Sequence, residues 1–223
     1  MRTTSKFRTA LGVSGISGLL FLLCSGNPAP QAGGLETTNG LAVCIEADGI
    51  SGKASSPAMI IVSDTACMPE EIGVRRFADT VFTAEDSTFK ITGLPEGTFN
   101  IVATTSDHSG GCILRDIRLS PSRPEPRNRF AAFGPVSSLT VKTLIDTVPQ
   151  RHAVVYIRGT TFSGKTSADG TCTIGNLPGG TYAIEATLLP QKIIETIIYT
   201  ARAEEVTVAT AAEPLVLTLE PTD

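Results

Sequence analysis

The 223-residue chain has no tryptophan, three tyrosines and two histidines, and aromatic residues make up only 5% of it. This scarcity counts against a binding face of stacked rings, and two histidines leave little for a metal centre or a general base. Neither His-Glu-x-x-His nor Gly-x-Ser-x-Gly occurs. No loop is dense enough in carboxylates to supply the six or so oxygens that calcium takes. Cations are also few. The net charge is -4, and removal of a leader carrying Arg2, Lys6 and Arg8 leaves the rest at -7. A nucleic-acid partner, which needs a basic face to neutralise phosphates, is not expected. Beyond the leader there is no convincing helical period and no apolar run of the roughly 20 residues that a membrane-spanning helix needs.

What is present begins with MRTTSKFRTALGVSGISGLLFLLCSGNPAP, three early cations followed by a short, glycine-interrupted apolar segment. This reads as a secretory signal, residues 1–24, and not as a spanning helix. The run ends in Phe21-Leu22-Leu23-Cys24, which resembles a bacterial lipobox, with Leu23 where Gly, Ala or Ser is usual. The resemblance implies lipidation at Cys24. Later cleavage to a free secreted chain, or Cys24 as one more apolar leader residue, remains open. Residues 25–36, SGNPAPQAGGLE, suit a flexible tether. The other cysteines, Cys44, Cys67, Cys112 and Cys172, show no metal spacing. A Cys44–Cys112 bridge and scattered buried thiols both fit an exported chain.

The chain is organised by an internal repeat. TAEDSTFKITGLPEGTFNIVAT, residues 83–104, and TSADGTCTIGNLPGGTYAIEAT, residues 166–187, are identical at 11 of 22 positions without a gap. A period of 83 residues means tandem domains and not a solenoid, whose units run to about 20–50 residues. Within each copy a turn at Asp86 or Asp169-Gly170 leads to a short strand. A Leu-Pro turn follows, then a strand whose Phe99, Ile101 and Ala103, or Tyr182, Ile184 and Ala186, share one face. We read this unit as a hairpin with one apolar face. Further strands are expected at Leu41–Glu46, Met59–Val62, Ile113–Leu119, Leu139–Leu144, Ala153–Ile157, Ile193–Tyr199, Val206–Val208 and Leu215–Leu219. PSRPEPRNRFAAFG, residues 121–134, reads as a Pro-rich linker between domains spanning 37–120 and 135–223. The segment CMPEEIGVRRFADTVF, residues 67–82, reads as an excursion in a solvated surface loop.

The pattern Asp, short strand, Leu-Pro-x-Gly-Thr-Tyr/Phe-x-Ile resembles the carboxypeptidase regulatory-like domain. The match is good in the second domain and divergent in the front half of the first. The resemblance implies an all-β fold of two tandem transthyretin-like (prealbumin-like) β-sandwich domains after a signal peptide and short tether. It also implies a non-enzymatic surface role as a structural, spacer or adhesive component, without cofactor or metal. The leader and the AGGLETTNG opening are similar to those of bacterial surface lipoproteins. This implies a membrane partner through an N-terminal lipid anchor, with carbohydrate or cell-envelope proteins as further partners. A related branch of such modules carries an internal Lys–Asn crosslink. Lys142 sits in a suitable strand, but Ala186 and Ala103 stand where that branch has Glu, and PLVLTLEPTD has no Asn, so no such bond is expected.

The alternative function is a carbohydrate-binding module of a surface or secreted polysaccharide-degrading system, with Tyr156, Phe162 and Tyr199 as candidate ligand contacts. Asp107, His108, Ser109 and Cys112 carry suggestive chemistry, but Gly110-Gly111 marks a turn, and neighbours on one loop rarely form a nucleophile–base pair. GTTFSGKT, residues 159–166, satisfies the letter of the phosphate-binding P-loop pattern. The sequence behind it reads turn, strand, turn, strand, with no helix to receive a phosphate. We read it as a connection between two strands, and no nucleotide is expected.

Overall fold

A computed structural model describes residues 39–46, 49–73, 78–120, 122, 127–190, 197–208 and 213–222. Every regular element among them is a strand. Short runs of Val, Ile and Thr broken by Gly, Asp and Pro favour this outcome, because each run can cover one side of a pleated surface before the chain must turn.

Two hydrophobic cores organise the chain. The first is enclosed by two antiparallel sheets. One runs β5 (Thr88–Thr92), β2 (Gly49–Ala54), β1 (Gly40–Ile45), β8 (Arg127–Ala132). The other runs β7 (Gly110–Leu119), β6 (Gly97–Thr105), β3 (Ala58–Asp64), β4 (Ala78–Phe82). Leu41, Ile50, Ile60, Phe99, Ile101 and Ile117 fill the space between them. In the second unit β9 (Gly134–Ile145) is flanked by β13 (Thr171–Pro178) and, in parallel, by β16 (Leu215–Thr218), with β10 (Val148–Pro149) folded against its end. The facing sheet runs β12 (Ser163–Lys165), β11 (Val154–Ile157), β14 (Gly180–Leu188), β15 (Ile198–Val208), β17 (Glu220–Thr222). Val141, Val155, Leu177, Tyr182 and Ile184 are at its centre.

The repeat is visible in the strand starts. β5 and β13 begin at Thr88 and Thr171, and β6 and β14 at Gly97 and Gly180, the same offset as in the sequence. Each copy opens on the same aspartate turn: Asp86 Oδ1 accepts from the Thr88 amide at 3.1 Å, and Asp169 Oδ1 from the Thr171 amide at 3.1 Å. The expected hairpin is not formed, however. β5 pairs with β2, whereas β6 pairs with β3 and β7; β13 pairs with β9, whereas β14 pairs with β11 and β15. The chain therefore crosses from one sheet to the facing one at the Leu-Pro segment, after β5 in the first unit and at the end of β13 in the second, with Leu94 and Leu177 buried there. Alternating apolar residues look the same in both arrangements, since in each case the apolar faces meet the same core.

The linker expected at 121–134 is largely strand. Residues 127–132 are β8, the edge strand beside β1; Phe133 is buried in the first core, and β9 starts at Gly134. Edge strands tolerate the charges and prolines that mimic a linker. The excursion at 67–82 also holds more structure than a surface loop: Cys67 is buried and Ala78–Phe82 is the edge strand paired with β3. The Cys44–Cys112 bridge is absent: Cys112 is a buried free cysteine and so is not bonded to Cys44. Residues 193–196, the front of one expected strand, lie outside the described residues, as do the leader, Cys24 and the tether.

Candidate functional site at the junction of the two units

β9 belongs to both units. Its first residues pair with β7, Pro135 opposite Gly110 and Gly134 opposite Gly111, and the rest forms the middle of a second-unit sheet. One eight-stranded sheet thus passes from one core to the other. The backbones approach closely there: a Cβ on Gly111 would lie 2.9 Å from the Ala103 oxygen and 3.1 Å from Pro178 Cγ.

A second contact is made by the turn after β11, the start of the P-loop-like string. Gly159 donates its amide to the Cys67 carbonyl at 2.9 Å. Its own carbonyl accepts from Ser63 Oγ at 2.8 Å and from Asn100 Nδ2 at 2.9 Å. Asn100 Oδ1 in turn accepts from the Asp116 amide at 3.2 Å. Ser63 and Asn100 are buried strand residues of the first unit. Unmatched, they would cost about 1–3 kcal/mol each; Gly159 supplies the acceptor they share. Glycine is required twice, because φ is +75° and a Cβ would sit 2.6 Å from Asn100 Nδ2 and 2.8 Å from the Thr65 oxygen. Thr160 closes the turn, its hydroxyl donating to the Ile157 carbonyl at 2.8 Å. Downstream, Lys165 meets Glu71 at 2.9 Å, but both side chains are about half exposed, so this pair contributes little. The string contains β12 and is followed by a turn and β13, not by a helix, and the Gly159 amide is already engaged by protein.

A third contact joins β7 to β14. The Arg115 guanidinium lies 4.9 Å from the Tyr182 ring centroid, and its Nη2 donates to the Thr181 carbonyl at 2.9 Å. The Tyr182 hydroxyl donates to the Pro178 carbonyl at 2.6 Å.

The outer face of the β11–β14–β15 sheet carries a charged cluster that sequence reading missed. Arg158 binds Glu185 through two hydrogen bonds, Nε to Oε1 at 2.8 Å and Nη2 to Oε2 at 2.7 Å. Tyr156 donates to Glu185 Oε2 at 2.7 Å, and Arg202 Nε is 3.7 Å from Oε1. Burial alone raises the Glu185 carboxyl, but its hydrogen bonds from Arg158 and Tyr156 and the charges of both arginines outweigh this and leave it below its ordinary range. A strand-wise alternation marks Glu185 as outward-facing and nothing more; its partners come from β11, the turn after it and β15.

The candidate ligand contacts do not form a platform. Tyr156 is buried and tied to Glu185, so it is not available as an exposed ring. Phe162 and Tyr199 are partly buried against the second core, on the opposite side of the sheet from Tyr156. The Asp107–Cys112 group is also divided. Asp107, His108 and Ser109 are exposed on the loop between β6 and β7, whereas Cys112 is in the first core, its thiol pushed up to about 12 by burial.

No family model matches the chain, and no curated protein matches its sequence. Among solved structures it is similar to GBS52, the minor pilin of Streptococcus agalactiae, with 9% identity and a TM-score of 0.26 over 77% of this chain and 87% of that one. It is also similar to the TIE protein of Bacillus anthracis, with 17% identity and a TM-score of 0.26 over 86% of this chain. The match spans 42% of the TIE protein. Likenesses this distant say nothing of activity.

Proposed function

We propose that this chain is a non-enzymatic, exported cell-envelope protein whose two transthyretin-like modules act together as a stiff spacer or adhesive unit, held to a membrane by a lipid on Cys24. The observation that carries the reading is the junction. A strand shared by both units, with the Gly159 turn seated on buried Ser63 and Asn100, favours a rod that transmits position and load over two independently swinging modules. Ser25, next to the acylated cysteine, suits sorting to an outer membrane.

Residual dipolar couplings test the rod. One alignment tensor for both units is expected, and two distinct tensors would end the reading. Acyl labelling tests the anchor: label should appear on the wild-type chain and vanish in Cys24→Ala. A thioether uses up the Cys24 sulfur, so a mature chain with Cys24 disulfide-linked to Cys44 would exclude the lipid.

A second reading, carbohydrate binding, is favoured by one feature, an open cleft beside the junction whose lining combines serines and a carboxylate with prolines and a phenylalanine.

A further inference from the structure

The loop between β6 and β7 and the start of β9 enclose a cleft of about 690 Å³ at the end of the first unit. That size is within the range of about 300–1,000 Å³ usual for small-molecule sites. Its polar wall is made by Ser56, Ser106 and Asp107, and its apolar wall by Pro57, Phe133 and Pro135. Asp107 is held in place: one carboxylate oxygen, Oδ1, accepts from the Ser109 amide at 3.0 Å and from the Ser109 hydroxyl at 2.8 Å. The base of the loop is fixed as well, because Thr105 Oγ1 accepts from the Gly110 amide at 2.9 Å.

The wall chemistry selects among ligand classes. No lysine or arginine lines the cleft, so an anion would meet only Asp107 and be repelled. One carboxylate is too few for a divalent cation, and no group of three metal-ligating side chains occurs among the described residues. Hydroxyls and a fixed carboxylate opposite prolines and a phenylalanine suit a molecule with donor hydroxyls on its rim and C–H groups on its faces. We propose that this cleft is a saccharide site for a neutral sugar of one or two units, with Asp107 accepting from ligand hydroxyls and Pro57 and Pro135 packing on the ring. This assignment rests on the carbohydrate reading and is independent of the spacer reading. It moves the contact surface from Tyr156, Phe162 and Tyr199 to the first unit.

The test is an amide-resolved NMR titration of the mature chain with maltose, cellobiose and chitobiose, each taken to about 20 mM so that even a Kd near 1 mM is seen. Shift changes should cluster at Thr105–Gly110 and Gly134, and Asp107→Asn, which keeps an acceptor for Ser109, should weaken binding about tenfold. Absence of shifts with all three sugars would overturn both the site and the carbohydrate reading. Shifts on the face bearing Tyr156 and Glu185 instead, or equal binding by Asp107→Asn, would overturn the site and leave carbohydrate binding standing.

Discussion

The carbonyl oxygen of Gly159 in the second unit accepts a hydrogen bond from Asn100 Nδ2 of the first at 2.9 Å, so a turn of one unit satisfies a buried polar side chain of the other. Gly159→Ala should break this seat. The new Cβ would meet Asn100 Nδ2 and the Thr65 oxygen, and alanine at φ +75° adds backbone strain. A cost of about 1–3 kcal/mol is expected, or a fall in Tm of some 2–4 °C per kcal/mol for a chain this size. Gly164→Ala is the control, because its Cβ would make only ordinary contact, 3.6 Å from Cys172 Sγ. Equal effects at the two positions in thermal unfolding would show that the junction contributes nothing at Gly159.

Why the sequence revealed some of this and not the rest follows from range. The offset of 83 residues recurs in four strand starts, because a repeated turn-and-strand pattern is local. Which sheet each strand joins is non-local. Phe99 and Ile101 alternate inward whether the chain makes a hairpin or an arch, and only pairing with β3 and β7 decides. Gly159 looked like half of a phosphate loop because its neighbours in sequence are Gly, Thr and Lys; its actual partners, Ser63 and Asn100, lie 96 and 59 residues away. Glu185 was hidden by the same rule, since an outward position on a strand does not say that Tyr156 and Arg158 stand beside it.

That cluster makes stability depend on acid. The folded-state pKa of Glu185 lies below its ordinary 4.5, so its stabilisation is complete above the unfolded value and is lost as pH falls through the folded one. The window is therefore below about pH 4.5. Asp107 and Asp169, pulled down to about 2 by hydrogen bonds from Thr105 and Ser109 and from Ser167 and Thr171, act in the same direction. Glu185→Gln should lower Tm at pH 7 and flatten the decline between pH 4.5 and 2 without abolishing it. Tyr156→Phe, which removes one hydrogen bond, should cost about 1 kcal/mol at pH 7. A Glu185→Gln profile parallel to the wild type down to pH 2 would show that the carboxylate is not the titrating group.

The thiols of Cys112 and Cys172 should be inert in the folded chain. Burial pushes them up to about 12 and about 11, leaving almost no thiolate at pH 8, and thiolate is the reactive form. Iodoacetamide with mass-spectrometric site mapping should modify both in denaturant and neither in native buffer over the same time. Rapid native labelling of Cys112 would reopen the idea of a nucleophile beside Asp107 and His108.

The contact between Arg115 and Tyr182 separates into two parts that different substitutions remove. Tyr182→Phe keeps the ring under the guanidinium but leaves the Pro178 carbonyl without its hydroxyl donor, at a cost of about 1–3 kcal/mol. Arg115→Met keeps most of the packing stem but loses both the stacking over the ring and the donor to Thr181, about 1–2 kcal/mol together. These effects touch different atoms, so Arg115→Met and Tyr182→Phe should combine nearly additively in urea unfolding, to within about 0.5 kcal/mol. Tyr182→Leu removes the ring, so Arg115→Met should then cost less than it does in the wild type. Additivity in that second cycle would mean that the cation and the ring do not interact, and that the hydrogen bond to Thr181 is what Arg115 contributes to holding β7 against β14.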